Sequence, residues 1–185
     1  MKNKNYLYGL LLYGFIAGFT SPVSAEIRQC DKEFISSDDS HIVYMGRISR
    51  SIPHIVRFTY PGVSIQANFE GTSLQMKAKP GSGAFMVEVA DELPYRINFA
   101  KNDSIQTLAE GLPEGTHRVR IMYAIEGYEL KPAFKGFYLD KGCRLAEAPV
   151  LPERRIEFIG NSITCGYGVE SENPSDPFTY ETENH

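Results

Sequence analysis

The side chains best suited to covalent chemistry cluster near the end of the sequence, in the run Ile156-Glu157-Phe158-Ile159-Gly160-Asn161-Ser162-Ile163-Thr164-Cys165-Gly166-Tyr167-Gly168. Ile156, Phe158 and Ile159 read as a short apolar strand. It stops at Gly160, which can turn the backbone tightly because it has no Cβ. Ser162 would then stand at the carboxyl end of that strand, where open α/β sheets place their sites. A hydroxyl there is a nucleophile if an imidazole takes its proton and backbone N–H groups receive the developing oxyanion. On its own the triplet decides little, since a serine after a strand equally caps a turn or a helix. The histidines are His41, His54, His117 and His185. The first three fall among strand patterns, where packing is the default, and the fourth is the terminal residue. Of the three cysteines, Cys165 reads as a small packing residue rather than a second nucleophile.

The elements that must position these residues divide the sequence into four parts. Residues 1–25 carry Lys2 and Lys4 and no acid, then an apolar stretch from Tyr6 to Phe19, then Ser21-Pro22-Val23-Ser24-Ala25. A basic start, a short apolar segment and a V-x-A exit are the parts of a secretory signal peptide, expected to be cleaved after Ala25. The apolar segment is short for a bilayer core of ~30 Å, so no membrane association is expected after cleavage. The mature chain would be secreted or periplasmic, two units more negative than the whole chain's −4. Cys30, Cys143 and Cys165 would then meet an oxidising compartment. Three is an odd number, so at least one is free or pairs elsewhere. A Cys30–Cys143 bridge would close a long loop, worth ~4–5 kcal/mol in the chain-entropy model; two small buried thiols are the alternative, and both stay open.

Residues 26–145 read as antiparallel sheet. In Val63 to Glu70 the odd positions are apolar and the even ones polar, the period of a half-buried strand. Leu74, Met76 and Ala78 alternate next, followed by Phe85, Val87 and Val89, by Tyr95, Ile97 and Phe99, and by Val119, Ile121, Tyr123 and Ile125. A last apolar run spans Phe134 to Leu139. Glycine- and proline-rich turns separate these runs, as in Pro80-Gly81-Ser82-Gly83. Around His41 to Tyr60 the pattern is interrupted by Pro53. Short strands at this spacing imply a mainly β chain, a β-sandwich or jelly roll of seven or eight strands. Residues 146–155, with Pro149 and Pro152, read as a stiff linker. Residues 156–185 hold the nucleophile run.

Composition excludes several classes. With 42% hydrophobic and 23% charged residues, the chain is neither disordered, collagen-like nor a coiled coil. Past residue 20 no apolar run approaches the ~18 residues of a membrane span. A net charge of −4 argues against nucleic acid as a partner. There is no tryptophan, the usual flat platform for sugar rings, which counts against a carbohydrate-binding module acting alone.

The run IEFIGNSITCGYG resembles the first block of the SGNH (GDS-type) hydrolases. More narrowly, it is similar to carbohydrate esterase family 2, two-domain acetyl esterases with a jelly roll ahead of the hydrolase domain. Tyr44-Met45-Gly46-Arg47, PGVSIQANFEGTSLQMK, LAEGLPEGTHRVRI and PERRIEFIG fit the same family, so the resemblance spans roughly residues 42–185. It implies a secreted enzyme that removes O-acetyl groups from polysaccharides of the xylan and mannan type, with no metal or cofactor. Ser162 matches the nucleophile, its own backbone N–H is one oxyanion donor, and Gly160 and Asn161 support the loop. Asn161 departs from the Gly-Asp-Ser form: it keeps a carbonyl acceptor and loses the charge. The family's catalytic histidine and other oxyanion donors belong to later blocks, absent from this chain. The sequence therefore reads as an N-terminal portion ending in the first strand and nucleophile loop of an α/β hydrolase domain, inactive alone. The competing reading is a non-catalytic β-sandwich that binds carbohydrate or acts as a spacer.

Overall fold

Strands that turn their apolar side chains to a common core build two antiparallel sheets face to face. A computed structural model describes residues 31–154, 156–164, 166, 168–177 and 179. The expected signal peptide, Cys30, Cys165 and His185 lie outside the described residues.

Eleven strands form, in the order β1 (Lys32–Ser36), β2 (Val43–Met45), β3 (Ser49–Ile52), β4 (Ile55–Arg57), β5 (Ser64–Glu70), β6 (Leu74–Ala78), β7 (Gly83–Val89), β8 (Tyr95–Phe99), β9 (Ile105–Ala109), β10 (Thr116–Tyr123) and β11 (Ala133–Asp140). One sheet has the order β3-β4-β11-β6-β9, and β1 also pairs with β11, beyond the short β4 contact. The other sheet has the order β2-β5-β10-β7-β8. Only β3 with β4, and β7 with β8, are paired successors in the chain; every other pairing joins strands far apart in sequence.

The five alternating runs anticipated from sequence are β5, β6, β7, β8 and β10, and the last apolar run is β11. The proline-interrupted stretch is a real hairpin, in which Pro53 and His54 form the two-residue turn between Ile52 and Ile55. His54 takes a φ of 60°, the left-handed conformation that a type II turn needs after its proline. Strands β1 and β9 were not anticipated, and the count exceeds the expected seven or eight.

The core lies between the sheets. Phe69, Phe85, Phe99, Phe134, Phe137 and Tyr123 are fully buried, with Ile65, Leu74, Met76 and Ile121. Burying each such side chain contributes about 1.5–3 kcal/mol. The rings meet edge-on, as in Phe85 against Phe99 (5.7 Å, 80°) and Phe58 against Phe85 (6.1 Å, 86°), the geometry the ring quadrupole favours. Ser82 is buried but satisfied: its hydroxyl donates to the Lys79 carbonyl at 2.6 Å and accepts from Ala133 N–H at 3.3 Å.

After β11 the chain stays on the sandwich longer than a free linker would. Glu70 N–H donates to the Arg144 carbonyl (3.0 Å), and Ala146 N–H to the Asn68 carbonyl (2.8 Å). The Asn68 amide donates to the Glu147 carbonyl (2.8 Å). Residues 144–147 thus extend along the part of the β5 edge that β2 leaves open. Beyond them the expected hydrolase strand is not a strand: residues 156–161 are irregular, with Ile156, Phe158 and Ile159 at least 81% exposed. A parallel strand needs neighbours delivered by crossover connections, and no described residue supplies one.

Candidate functional site

The Gly160-Asn161-Ser162 run, where a nucleophile is expected, folds locally through its own short-range contacts. A Cβ added at Gly160 would lie 1.9 Å from the Thr164 hydroxyl oxygen, so the chain doubles back too closely there for a side chain. The Asn161 side-chain oxygen accepts from Ile163 N–H at 3.0 Å, and Gly166 N–H donates to the Ile163 carbonyl at 3.1 Å. An asparagine oxygen bonded to a backbone N–H two residues on is an Asx turn. Ser162 therefore sits exposed in a turn that the Asn161 oxygen closes onto Ile163 N–H across it. The acceptor that Asn161 retains in place of an aspartate is used to shape the loop.

No described histidine is brought to Ser162; each is engaged within the sandwich. His41 Nδ1 lies 2.8 Å from Asp39, and His117 Nε2 lies 2.7 Å from the Pro113 carbonyl with its ring beside Phe69. His54 lies between Ser36 (3.3 Å) and Asp38 (2.8 Å), superficially a serine–histidine–aspartate set. Both partners, however, address the same nitrogen, Nδ1, whereas a catalytic relay needs one on each ring nitrogen. The Asp38 carboxylate also accepts from His54 N–H at 2.8 Å, so the set braces the β3–β4 turn.

Two surface features of the sandwich went unread in the sequence. The first is a cleft of about 270 Å³ beside β3, β4 and the approach to β11. Phe58 and Pro132 are buried in it and Ile48 partly so, giving an apolar floor, while Arg47, Arg57, Lys131 and Tyr60 are exposed around it. The Arg47 guanidinium lies 5.0 Å from the Tyr60 ring centre. Lys131 is held at a φ of 50° with its N–H on the Gly127 carbonyl (2.8 Å). Gly127 itself has no room for a Cβ, which would stand 2.5 Å from the Tyr123 hydroxyl and 2.8 Å from Pro132. The readable sign of this cleft was the absence of Asp and Glu between Asp39 and Glu70, a stretch that holds Arg47, Arg50 and Arg57. Glu157, just ahead of the Gly160–Ile163 turn, reaches Arg47 at 3.9 Å.

The second feature is on the outer face of the six-stranded sheet. Phe34 and Tyr138 pack with ring centres 5.0 Å apart, and the Lys77 ammonium lies 5.0 Å and 5.5 Å from the two rings. Lys77 also donates to the Tyr138 hydroxyl at 3.1 Å.

Comparison with known proteins places this chain. The family described as "Carbohydrate esterase 2 N-terminal" matches residues 44–149. The cellulase/esterase CelE of Acetivibrio thermocellus is 33% identical over 83% of this chain and 19% of its own length. An acetylxylan esterase/glucomannan deacetylase of Cellvibrio japonicus is 30% identical over 74% of this chain and 38% of its own. Among solved structures, a family two carbohydrate esterase from Cellvibrio japonicus superposes with a TM-score of 0.72 at 26% identity, over 83% of this chain and 46% of that one. One from Clostridium thermocellum, in complex with cellohexaose, gives 0.67 at 34% identity, over 77% and 44%. The chain thus spans less than half the length of these relatives, and the family match at residues 44–149 falls on the sandwich described above. With the family match covering more than half of its residues, the chain belongs to the carbohydrate esterase 2 N-terminal family.

Proposed function

We propose that this chain is the N-terminal portion of a secreted serine esterase that removes O-acetyl groups from polysaccharides of the xylan and mannan type. In this reading residues 1–25 are a signal peptide cleaved after Ala25, residues 26–145 a jelly roll, 146–155 a linker, and 156–185 the start of the hydrolase domain. The observation that carries the reading is the Gly160-Asn161-Ser162 turn, which presents an exposed serine directly after a sandwich of the family two type. The relatives are named as acetylxylan esterases and glucomannan deacetylases, which supports the substrate class.

The chemistry follows from the residue. Ser162 Oγ attacks the acetyl carbonyl carbon as its proton passes to a histidine from the later blocks of the hydrolase domain. The Ser162 backbone N–H is one donor to the oxyanion that forms. Collapse expels the sugar alkoxide, which takes the proton, and water then releases acetate from the acetyl-serine. A serine hydroxyl without a base in reach is a poor nucleophile at neutral pH. Residues 26–185 alone should therefore hydrolyse acetyl esters no faster than their Ser162→Ala counterpart.

The deciding experiment assays the polypeptide encoded by the whole reading frame on acetylated xylan. Ser162→Ala should lower the rate by several orders of magnitude and leave the fold intact, because it removes the attacking oxygen and little else. Retention of more than about a tenth of the rate would end the assignment. The Phe34–Tyr138–Lys77 surface favours a second reading, a sandwich that holds carbohydrate without cleaving it. Full activity of Phe34→Ala on soluble acetylated oligosaccharide, with weakened retention on insoluble polysaccharide, would mark that surface as a binding face.

A further inference from the structure

The cleft beside β3 and β4 combines features that a neutral sugar does not require. Arg47, Arg57 and Lys131 are exposed around it, and no Asp or Glu lines it. Among the described residues neither Arg57 nor Lys131 has a carboxylate within ion-pair distance. The guanidinium of Arg57 meets only the Ser51 hydroxyl (3.1 Å). Arg47 rests on the Tyr60 ring and has one distant carboxylate, Glu157 at 3.9 Å, with both side chains more than 70% exposed. In an acidic chain, three cations left without close counterions around one concavity are complementary to an anion. The apolar floor of Ile48, Phe58 and Pro132, with Tyr60 beside it, suits the carbon face of a ring rather than a small hydrated ion. The volume, about 270 Å³, lies just under the ~300–1,000 Å³ of pockets for drug-sized ligands and fits a single pyranose. Arginine is the side chain best shaped to hold a carboxylate in a two-pronged contact.

We propose that this cleft binds a uronic acid unit, the carboxylate-bearing side group of an acidic polysaccharide, and so directs the esterase toward acetyl groups on acidic xylans. Arg57 and Lys131 would take the carboxylate, Arg47 would swing from Tyr60 to join them, and Tyr60 with Phe58 would carry the ring. The Lys131 backbone is fixed at a φ of 50° by its N–H bond to the Gly127 carbonyl, which sets where the side chain leaves the chain beside the cleft. The proposal rests on the reading of the substrate as an acetylated polysaccharide, but binding at the cleft needs no step at Ser162.

The test is retention of the 185-residue chain in native gels cast with deacetylated glucuronoxylan, its carboxyl-reduced form, or polyacrylate of matched charge. Binding should be at least tenfold tighter to glucuronoxylan than to the reduced polymer. Arg57→Ala and Lys131→Gly should each abolish most of that difference, the second keeping the backbone conformation at 131. Ser162→Ala should leave retention unchanged. Equal retention on native and reduced glucuronoxylan would overturn the proposal. So would equal retention on polyacrylate, which would mark the arginines as a general cationic surface. Should Arg57→Ala unfold the chain, Arg57→Lys and Lys131→Gly carry the comparison. Failure of the esterase reading shows separately, as an inactive whole protein that still prefers the acidic polymer.

Discussion

Asp140, at the end of β11, shows how a single ionised group ties the sandwich together. Its carboxylate accepts from the Lys32 ammonium (2.7 Å), the Ser73 hydroxyl (2.8 Å) and the Thr72 hydroxyl (3.2 Å), joining β1, β11 and the start of β6. Burial raises its pKa, whereas the Lys32 and Ser73 hydrogen bonds, the Lys32 charge and the Thr72 bond lower it, and the balance lies below the usual aspartate value. A depressed folded-state pKa stabilises the fold above the unfolded pKa, about 3.9, and that contribution is lost as pH falls through the folded value. Urea midpoints should therefore be insensitive to this group near neutrality and fall in acid, below about pH 4. Asp140→Asn should cost about 1–3 kcal/mol at pH 7 and flatten the acid limb. An unchanged midpoint at pH 7 would show that the three donors are as well satisfied by water. At the same scale the Gly160–Ile163 loop was only partly legible. The order Gly160-Asn161-Ser162 could be read, but the use of the Asn161 oxygen on Ile163 N–H could not, because an Asx turn depends on backbone angles that composition does not state.

Among the elements, legibility followed burial. Strands β5, β6, β7, β8 and β10 alternate in sequence because each packs one face on the core, and β11 showed as an apolar run, so all six were visible within a few residues of their observed ends. β9 hid because its only buried side chain is Leu108, while Ile105 points to solvent, and its pairing with β6 shifts register between Leu74 and Gln75. β1 hid because Phe34 turns outward onto Tyr138 and charged residues precede it. The Ile156–Ile159 run carries the strand pattern without a partner strand, and pattern alone does not pair a backbone. One glycine fixes how β1 joins the sheet. Gly136, at the register shift between β11 and β6, has a φ of +144°, and a Cβ there would stand 2.1 Å from the Ile35 carbonyl oxygen. Gly136→Ala must displace backbone rather than a side chain, so it should lower stability by about 2–4 kcal/mol, as strongly as a core truncation. A shift under about 0.5 kcal/mol in thermal or urea unfolding would mean that the bulge relaxes freely. At the β7–β8 turn the sign reverses. Ala90 and Asp91 both hold positive φ, the requirement of a type I′ turn, so Ala90→Gly should gain about 0.5–1 kcal/mol.

At the scale of the whole molecule, the described chain is one closed sandwich followed by an exposed tail. Limited trypsin digestion of residues 26–185 should cut first after Arg154 and leave a resistant core ending no earlier than Glu147, because residues 144–147 are hydrogen-bonded along β5. A stable product beginning near Lys77 would contradict the architecture, since it would separate β5 from β10. Nearly all strand pairs join segments distant in sequence, so folding should fall in the millisecond-to-second range of non-local β proteins. The first strand also lies antiparallel beside the last, with Lys32 opposite Asp140 at the point where the chain enters and leaves. Seen as a mechanical coupling, this places the two attachment points at the same end of one ladder. Tension applied across the two ends of the sandwich would load the β1–β11 hydrogen bonds one at a time, as a zipper, instead of all together in shear. The Leu145–Phe69 bridge and the Ala146 bond on β5 would give way first, then Lys32 from Asp140, so the domain would yield by peeling while its ring-packed core stayed whole.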